Sequence, residues 1–297
     1  MHDVMTYLRP ELLLSLWIAL LLVIRLGTEW KNASLLGFIQ FILVINFAAG
    51  LLPASSGNCF GDMYQTNPLI LFEKNMLNGG VLLLSLLFGD WLKRCEHRAE
   101  FYILLLSALM GMFFLLSSGH LLMFYLSVEL ATIPVAALAN FQMERRLSSE
   151  AAIKMILSSA FASGILLFGI SLFYGTTGSL SLTKLPQLLQ ANPLQLLAFV
   201  FLFTSFGFKM SVVPFHLWTA DVYEGAPVPV PEEGARVREV ADVAAAALVG
   251  AIGRLVEAAP CCAAAFAASA FAASAAACAA ACSAAFLAAA CARSSAC

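Results

Sequence analysis

The chain has 297 residues, 61% of them hydrophobic and only 11% charged, with a mean hydropathy of +0.89 and a formal net charge of −2. That composition excludes an ordinary soluble domain and places the chain among polytopic membrane proteins. The near-balance of charge excludes a basic nucleic-acid-binding surface, so the expected surroundings are a lipid bilayer, with no nucleic-acid partner.

A bilayer core takes roughly 20 apolar residues per helix. In chain order the candidate spans are 10–26, 33–52, 69–89, 101–118, 120–140, 150–174 and 194–213, which predicts an all-α bundle of about seven transmembrane helices. The first apolar run, Leu12–Ile24, is preceded by Asp3, Arg9 and Glu11, and no small-x-small site follows before Arg25. It reads as an uncleaved span. The third span is the weakest, because Glu73, Lys74 and Asn75 interrupt its start.

Basic residues give an orientation. With the N-terminus outside, the inward loops hold Arg25 and Lys31, then Lys93, Arg94 and Arg98, then Arg145 and Arg146. The outward segments hold only Arg9, Lys74 and Lys184, in line with the positive-inside rule. Two outward loops are longer: 53–68, rich in turn residues, and 175–192, where Leu185–Leu189 reads as a short interfacial helix.

The chain changes character at about residue 231. Residues 263–297 are almost entirely Ala, Ser, Cys and Phe, with Arg293 the only charge. Residues 1–230 therefore read as the membrane domain, and 231–297 as a low-complexity Ala/Cys-rich tail of the kind a frame shift produces. Six of the cysteines crowd this tail, and none of the spacings resembles a paired zinc framework.

Two charges sit where apolar residues belong. Glu129 lies in the run Leu121–Ala139, with Pro134 five residues on. Lys209 lies near the end of Phe199–Val213, with Pro214 five residues on, so this seventh helix is expected to be broken. A charge at mid-membrane costs roughly 2.5–3.5 kcal/mol on insertion scales, so it faces a partner or a water-filled path. Desolvation works against an ammonium and a nearby carboxylate works for it. Moving the carboxylate or its proton then toggles a lysine between holding and releasing. Lys154, near the start of its span, reads either as an interfacial anchor or as a bridge between titrating sites. His216 reads either as a proton relay or as a polar anchor at a span end.

These residues also carry a family likeness. The segments Phe124-Tyr-Leu-Ser-Val-Glu-Leu130, Thr204-Ser-Phe-Gly-Phe-Lys-Met210, Val213-Pro-Phe-His-Leu-Trp218 and Asp221-Val-Tyr-Glu-Gly-Ala-Pro227 resemble the proton-conducting antiporter-like subunits of NADH–quinone oxidoreductase (respiratory complex I), those of the N type above all. The resemblance covers roughly residues 10–230. It implies a fold of inverted five-helix repeats with broken helices, in a bacterial inner membrane, N-terminus outside. It implies that Glu129 matches the fifth-helix glutamate, Lys209 the seventh-helix lysine, and Lys154, in Glu150-Ala-Ala-Ile-Lys154, a sixth-helix lysine that helps connect them.

The implied function is proton translocation driven by distant quinone reduction, as one subunit of an enzyme whose NADH, FMN, iron–sulfur clusters and quinone are held by partner subunits. No cofactor or metal is expected in this chain, and its partners are expected to be other membrane subunits of the complex. The rival readings are a stand-alone cation/proton antiporter and a truncated, non-pumping fragment. Ala220 and Val228 stand where the family usually has proline and threonine, and no lysine follows Lys209. The family's lysine-bearing eighth helix thus has no counterpart in the tail.

Overall fold

The computed structural model describes residues 7–27, 32–52, 56–92, 97–141, 145–188, 192–212 and 215–225. The tail 231–297, the boundary placed at residue 230, Pro214 and Val228 lie outside the described residues. Seven long helices match the seven expected spans: α1 (Arg9–Gly27), α2 (Asn32–Gly50), α3 (Pro68–Leu87), α5 (Arg98–Leu116), α6 (Leu121–Ala139), α7 (Arg146–Thr177) and α9 (Pro193–Lys209). Between them lie a hairpin of β1 (Gly57–Cys59) and β2 (Tyr64–Thr66), the single turns α4 (Gly89–Leu92) and α8 (Leu185–Leu188), and a final helix α10 (Leu217–Gly225).

Helices α3, α5, α6 and α7 are long and apolar enough on their own to cross a bilayer; the apolar parts of α2 and α9 are shorter. Large apolar side chains point outward along these helices, among them Leu16, Val23, Phe41, Leu83, Ile133 and Phe161. In water such a surface is a liability, and in lipid it is the expected exterior. The interior has two centres. One joins α1, α2, α3 and α5 around Leu14, Leu43, Val81, Leu106 and Met112. The other joins α6, α7 and α9 around Phe124, Val128, Leu166, Ile170 and Phe206. There the rings of Phe124 and Phe206 meet edge to face, centroids 5.5 Å apart.

Close helix contact needs small residues. A Cβ on Gly111 of α5 would lie 2.4 Å from the backbone nitrogen of Ala131, so α5 and α6 touch backbone to backbone there. Helix α6 runs without interruption through Pro134. The proline has no N–H to give the Leu130 carbonyl, and Gly111 packs against that same stretch, Leu130–Ala131.

The connections at one end of the bundle are laced together. Gln65 N–H donates to Ser117 C=O at 2.9 Å, Gly119 N–H to Met63 C=O at 2.8 Å, and Leu182 N–H to Gly119 C=O at 3.0 Å. Leu121 N–H closes the set on Leu180 C=O at 3.0 Å. The expected interfacial patch at 185–189 is instead partly internal: Leu185 is buried against the second centre. The weak third span is a full helix from Pro68 to Leu87, and its polar interruption is explained by burial. Lys74 and Asn75 face inward, and Lys74 is bound there to Glu11 of α1.

Candidate functional site

Helix α9 ends immediately after Lys209, and the ending is built locally. Ser211 takes a left-handed conformation (φ 54°), Ser211 N–H bonds the Phe208 carbonyl at 3.2 Å, and Val212 N–H bonds the Gly207 carbonyl at 2.8 Å. This is a Schellman termination with serine where glycine is usual. The break expected in the seventh helix is therefore present, and it falls before Pro214. The chain turns, the hydroxyls of Ser211 and Thr219 meet, and α10 begins at Leu217.

Lys209 thus occupies the last turn of a helix, where the backbone dipole presents its negative end. Its side chain is 5% exposed and that of Glu129, on α6, is 23% exposed. Lys209 Nζ lies 3.3 Å from Glu129 Oε1, 2.7 Å from Ser159 Oγ and 3.5 Å from Thr132 Oγ1. Glu129 Oε1 also accepts from Ser163. Three helices contribute: α6 the acid and Thr132, α7 the two serines, α9 the ammonium. Ser159 and Ser163 are four residues apart and so share one face of α7. Those three hydroxyls escaped the reading of the sequence, where the i, i+4 spacing of the serines was the available signal.

Lys154 is placed elsewhere. Its ammonium lies 2.7 Å from Glu150 and 2.7 Å from Asp221, with a side chain 40% exposed. It joins the start of α7 to α10, the helix that follows the break. Gly225 completes that joint, since a Cβ there would lie 2.4 Å from the Leu147 carbonyl oxygen. His216 is exposed in the turn leading into α10. The structure therefore brings Glu129 and Lys209 together and leaves Lys154 and His216 outside their contacts.

A second buried pair was missed. Lys74 of α3 is bound to Glu11 of α1, and its Nζ donates to Tyr64 Oη at 3.0 Å. Both charged residues are 2% exposed. The sequence showed Lys74 only as a blemish in a weak span. Its acid lies 63 positions away, a relation hydropathy does not carry.

The described residues form a bundle of apolar helices with a buried acid–lysine pair at a helix break, and they resemble known membrane subunits. Residues 118–235 match the family described as NADH:quinone oxidoreductase/Mrp antiporter, transmembrane. The chain is 48% identical over 192 residues to NADH-quinone oxidoreductase subunit N of Phocaeicola vulgatus, covering 64% of this chain and 40% of that protein. It is 39% identical over 227 residues to the same subunit of Azobacteroides pseudotrichonymphae, covering 72% and 46%. A chain in the structure of respiratory complex I from Thermus thermophilus with bound aureothin superposes with a TM-score of 0.68 at 31% identity, over 84% of this chain and 53% of that one. The likeness to this family of membrane subunits rests on residues 118–235, and the two relatives compared are N subunits. The chain spans about half the length of the curated relatives it matches.

Proposed function

We propose that the chain acts within a membrane NADH–quinone oxidoreductase as a proton-translocating subunit, with Glu129 and Lys209 as its titrating pair. The observation that supports this most is the placement of Lys209. A buried ammonium closes a helix, next to a carboxylate, on a chain segment that reverses two residues later. With Glu129 ionised, the pair holds its proton on Lys209. When Glu129 takes up a proton, or α9 draws away, the ammonium loses its counter-charge and releases its proton to the hydroxyls around it. Ser159, Ser163 and Thr132 both donate and accept, so they can pass a proton on.

In this reading Lys154 is a fastener. It ties α10 to α7 through Asp221, so the chain beyond the break stays fixed while α9 responds. Redox chemistry, with NADH, flavin, iron–sulfur clusters and quinone, belongs to partner subunits of the complex. The membrane is the bacterial inner membrane, with the N-terminus and the laced loops on the outer side.

The test is proton uptake by inverted membrane vesicles, read by fluorescence quenching and normalised to NADH oxidation. Glu129→Gln or Lys209→Ala lowers that ratio about twofold or more while the complex still assembles on native gels. Unchanged pumping by both variants in assembled complexes would remove the proposal.

A further inference from the structure

Lys74 and Glu11 are each 2% exposed, yet their surroundings are not closed. Glu11 Oε2 and Asn75 Oδ1 are buried and have no hydrogen-bond partner among the described residues, and Asn75 is only 8% exposed. Asn75 stands on the wall of a small cleft shared by Arg9, Asn46, Gly50, Lys74 and Asn78, with about 10 Å³ open to the centre of a water molecule. That is room for about one water in a polar setting. Arg9 and Gly50 are partly exposed and mark the mouth, near where α1 begins and α2 ends. Deeper in, Asn46 Nδ2 donates to Asn78 Oδ1 at 3.2 Å.

We propose that this cleft is hydrated and makes Glu11 and Lys74 a second proton-exchanging pair, open to solution at the end of the bundle where the loops are laced. An ion pair kept only for packing is best served by neighbours that satisfy every lone pair. Here two acceptors lack donors among the described residues: Asn75 lines the cleft, where a water can donate to it, and Glu11 is joined to the cleft through Lys74. Lys74 can give a proton from Nζ to that water, which passes it to the solution; the neutral amine then takes one back by the same route. Ionised Glu11 holds the ammonium, and protonated Glu11 lets it go. Tyr64 does not serve as the proton source. Its hydroxyl accepts from Lys74 and donates to the Tyr7 carbonyl at 3.2 Å. Burial, then the charge of Glu11, pushes its ionisation well above the usual tyrosine range. It is an anchor for the ammonium.

The hydration stands without the proposed function; its use as a proton route rests on that reading. Two measurements separate them. Hydroxyl-radical footprinting of the unaltered full chain in lipid vesicles, read by mass spectrometry, tests the water. Leu71 and Phe113, which line the cleft, oxidise about tenfold faster than Leu43, which is 0% exposed on α2. Equal protection of all three overturns the proposal. Pumping per NADH tests the route. Lys74→Met and the doubly neutral Glu11→Gln/Lys74→Met both lower it about threefold, whereas a packing pair recovers in the double variant because no lone charge remains buried. Full pumping by the double variant, with Glu129→Gln and Lys209→Ala still defective, sinks this port and leaves the wider function standing. Full pumping by all of them sinks both.

Discussion

Lys209 Nζ stands 2.7 Å from the hydroxyl of Ser159, nearer than it stands to the carboxylate of Glu129 at 3.3 Å. The ammonium is held by a neutral group on α7 at least as closely as by its counter-charge on α6. Removing Ser159 leaves a buried cation one acceptor short, a loss worth about 1–3 kcal/mol. Ser159→Ala therefore lowers the thermal midpoint of the purified chain and lowers pumping per NADH, and Ser159→Thr restores both.

The pair itself is tested by a double-mutant cycle. Lys209→Met strands Glu129, and Glu129→Gln strands Lys209, so each single change costs more than its share of the double. The coupling measured from unfolding of the two singles and the double is expected at about 1–3 kcal/mol. Strict additivity would show that the contact has no energetic content.

Two glycines in the membrane helices have opposite surroundings. Gly111 faces the backbone of Ala131, while a Cβ on Gly164 of α7 meets nothing within 4 Å. Gly111→Ala forces α5 off α6 and costs about 1–3 kcal/mol, the usual range for overpacking. Gly164→Ala gains about 0.5–1 kcal/mol, because alanine loses less freedom on entering a helix. Thermal unfolding in detergent reads both signs.

His120 caps α6, its Nδ1 accepting from Leu122 N–H at 3.4 Å. Burial holds this histidine below its ordinary value of 6.5. Below about pH 6.5 the unfolded chain takes up the proton first, so this site's contribution to stability falls as the pH falls. His120→Asn, which caps without titrating, flattens that part of the slope. Melting curves of parent and variant at pH 7 and pH 5 give the comparison, and parallel curves would exclude the effect.

Much of this fold was legible because hydropathy reports lipid contact directly. Each expected span has its helix, and the largest boundary errors, four residues each, are at the start of α7, Arg146 where the sequence suggested 150, and at the end of α9, Lys209 where it suggested 213. The pair Glu129–Lys209 was legible for the same reason, as two charges in apolar runs. Lys154 was harder, because its partner Asp221 lies on a helix that exists only after the chain has turned at Ser211. The break was expected from Pro214 with the span running to 213, but it comes four residues earlier: backbone hydrogen bonds from Ser211 and Val212 end the helix at Lys209, before any proline is reached. Lys74 was misjudged outright as a weakness in its span. A polar residue in the first turns of a helix looks the same in sequence whether it faces water or a buried carboxylate.

The hydrogen bonds that lace the loops at one end have a mechanical consequence. They clamp the start of α6 to the loop between α7 and α8, Gln195 Nε2 ties the start of α9 to the Leu188 carbonyl at 3.4 Å, and Lys209 sits at the far end of that helix of 17 residues. At 1.5 Å per residue that helix is a lever of roughly 25 Å. A swing of only about 5° around its clamped end carries the tip through roughly 2 Å, enough to part the ammonium from a hydroxyl that it now touches. The far end of the bundle works as a gauge needle, turning a small rotation into the making or breaking of one bond.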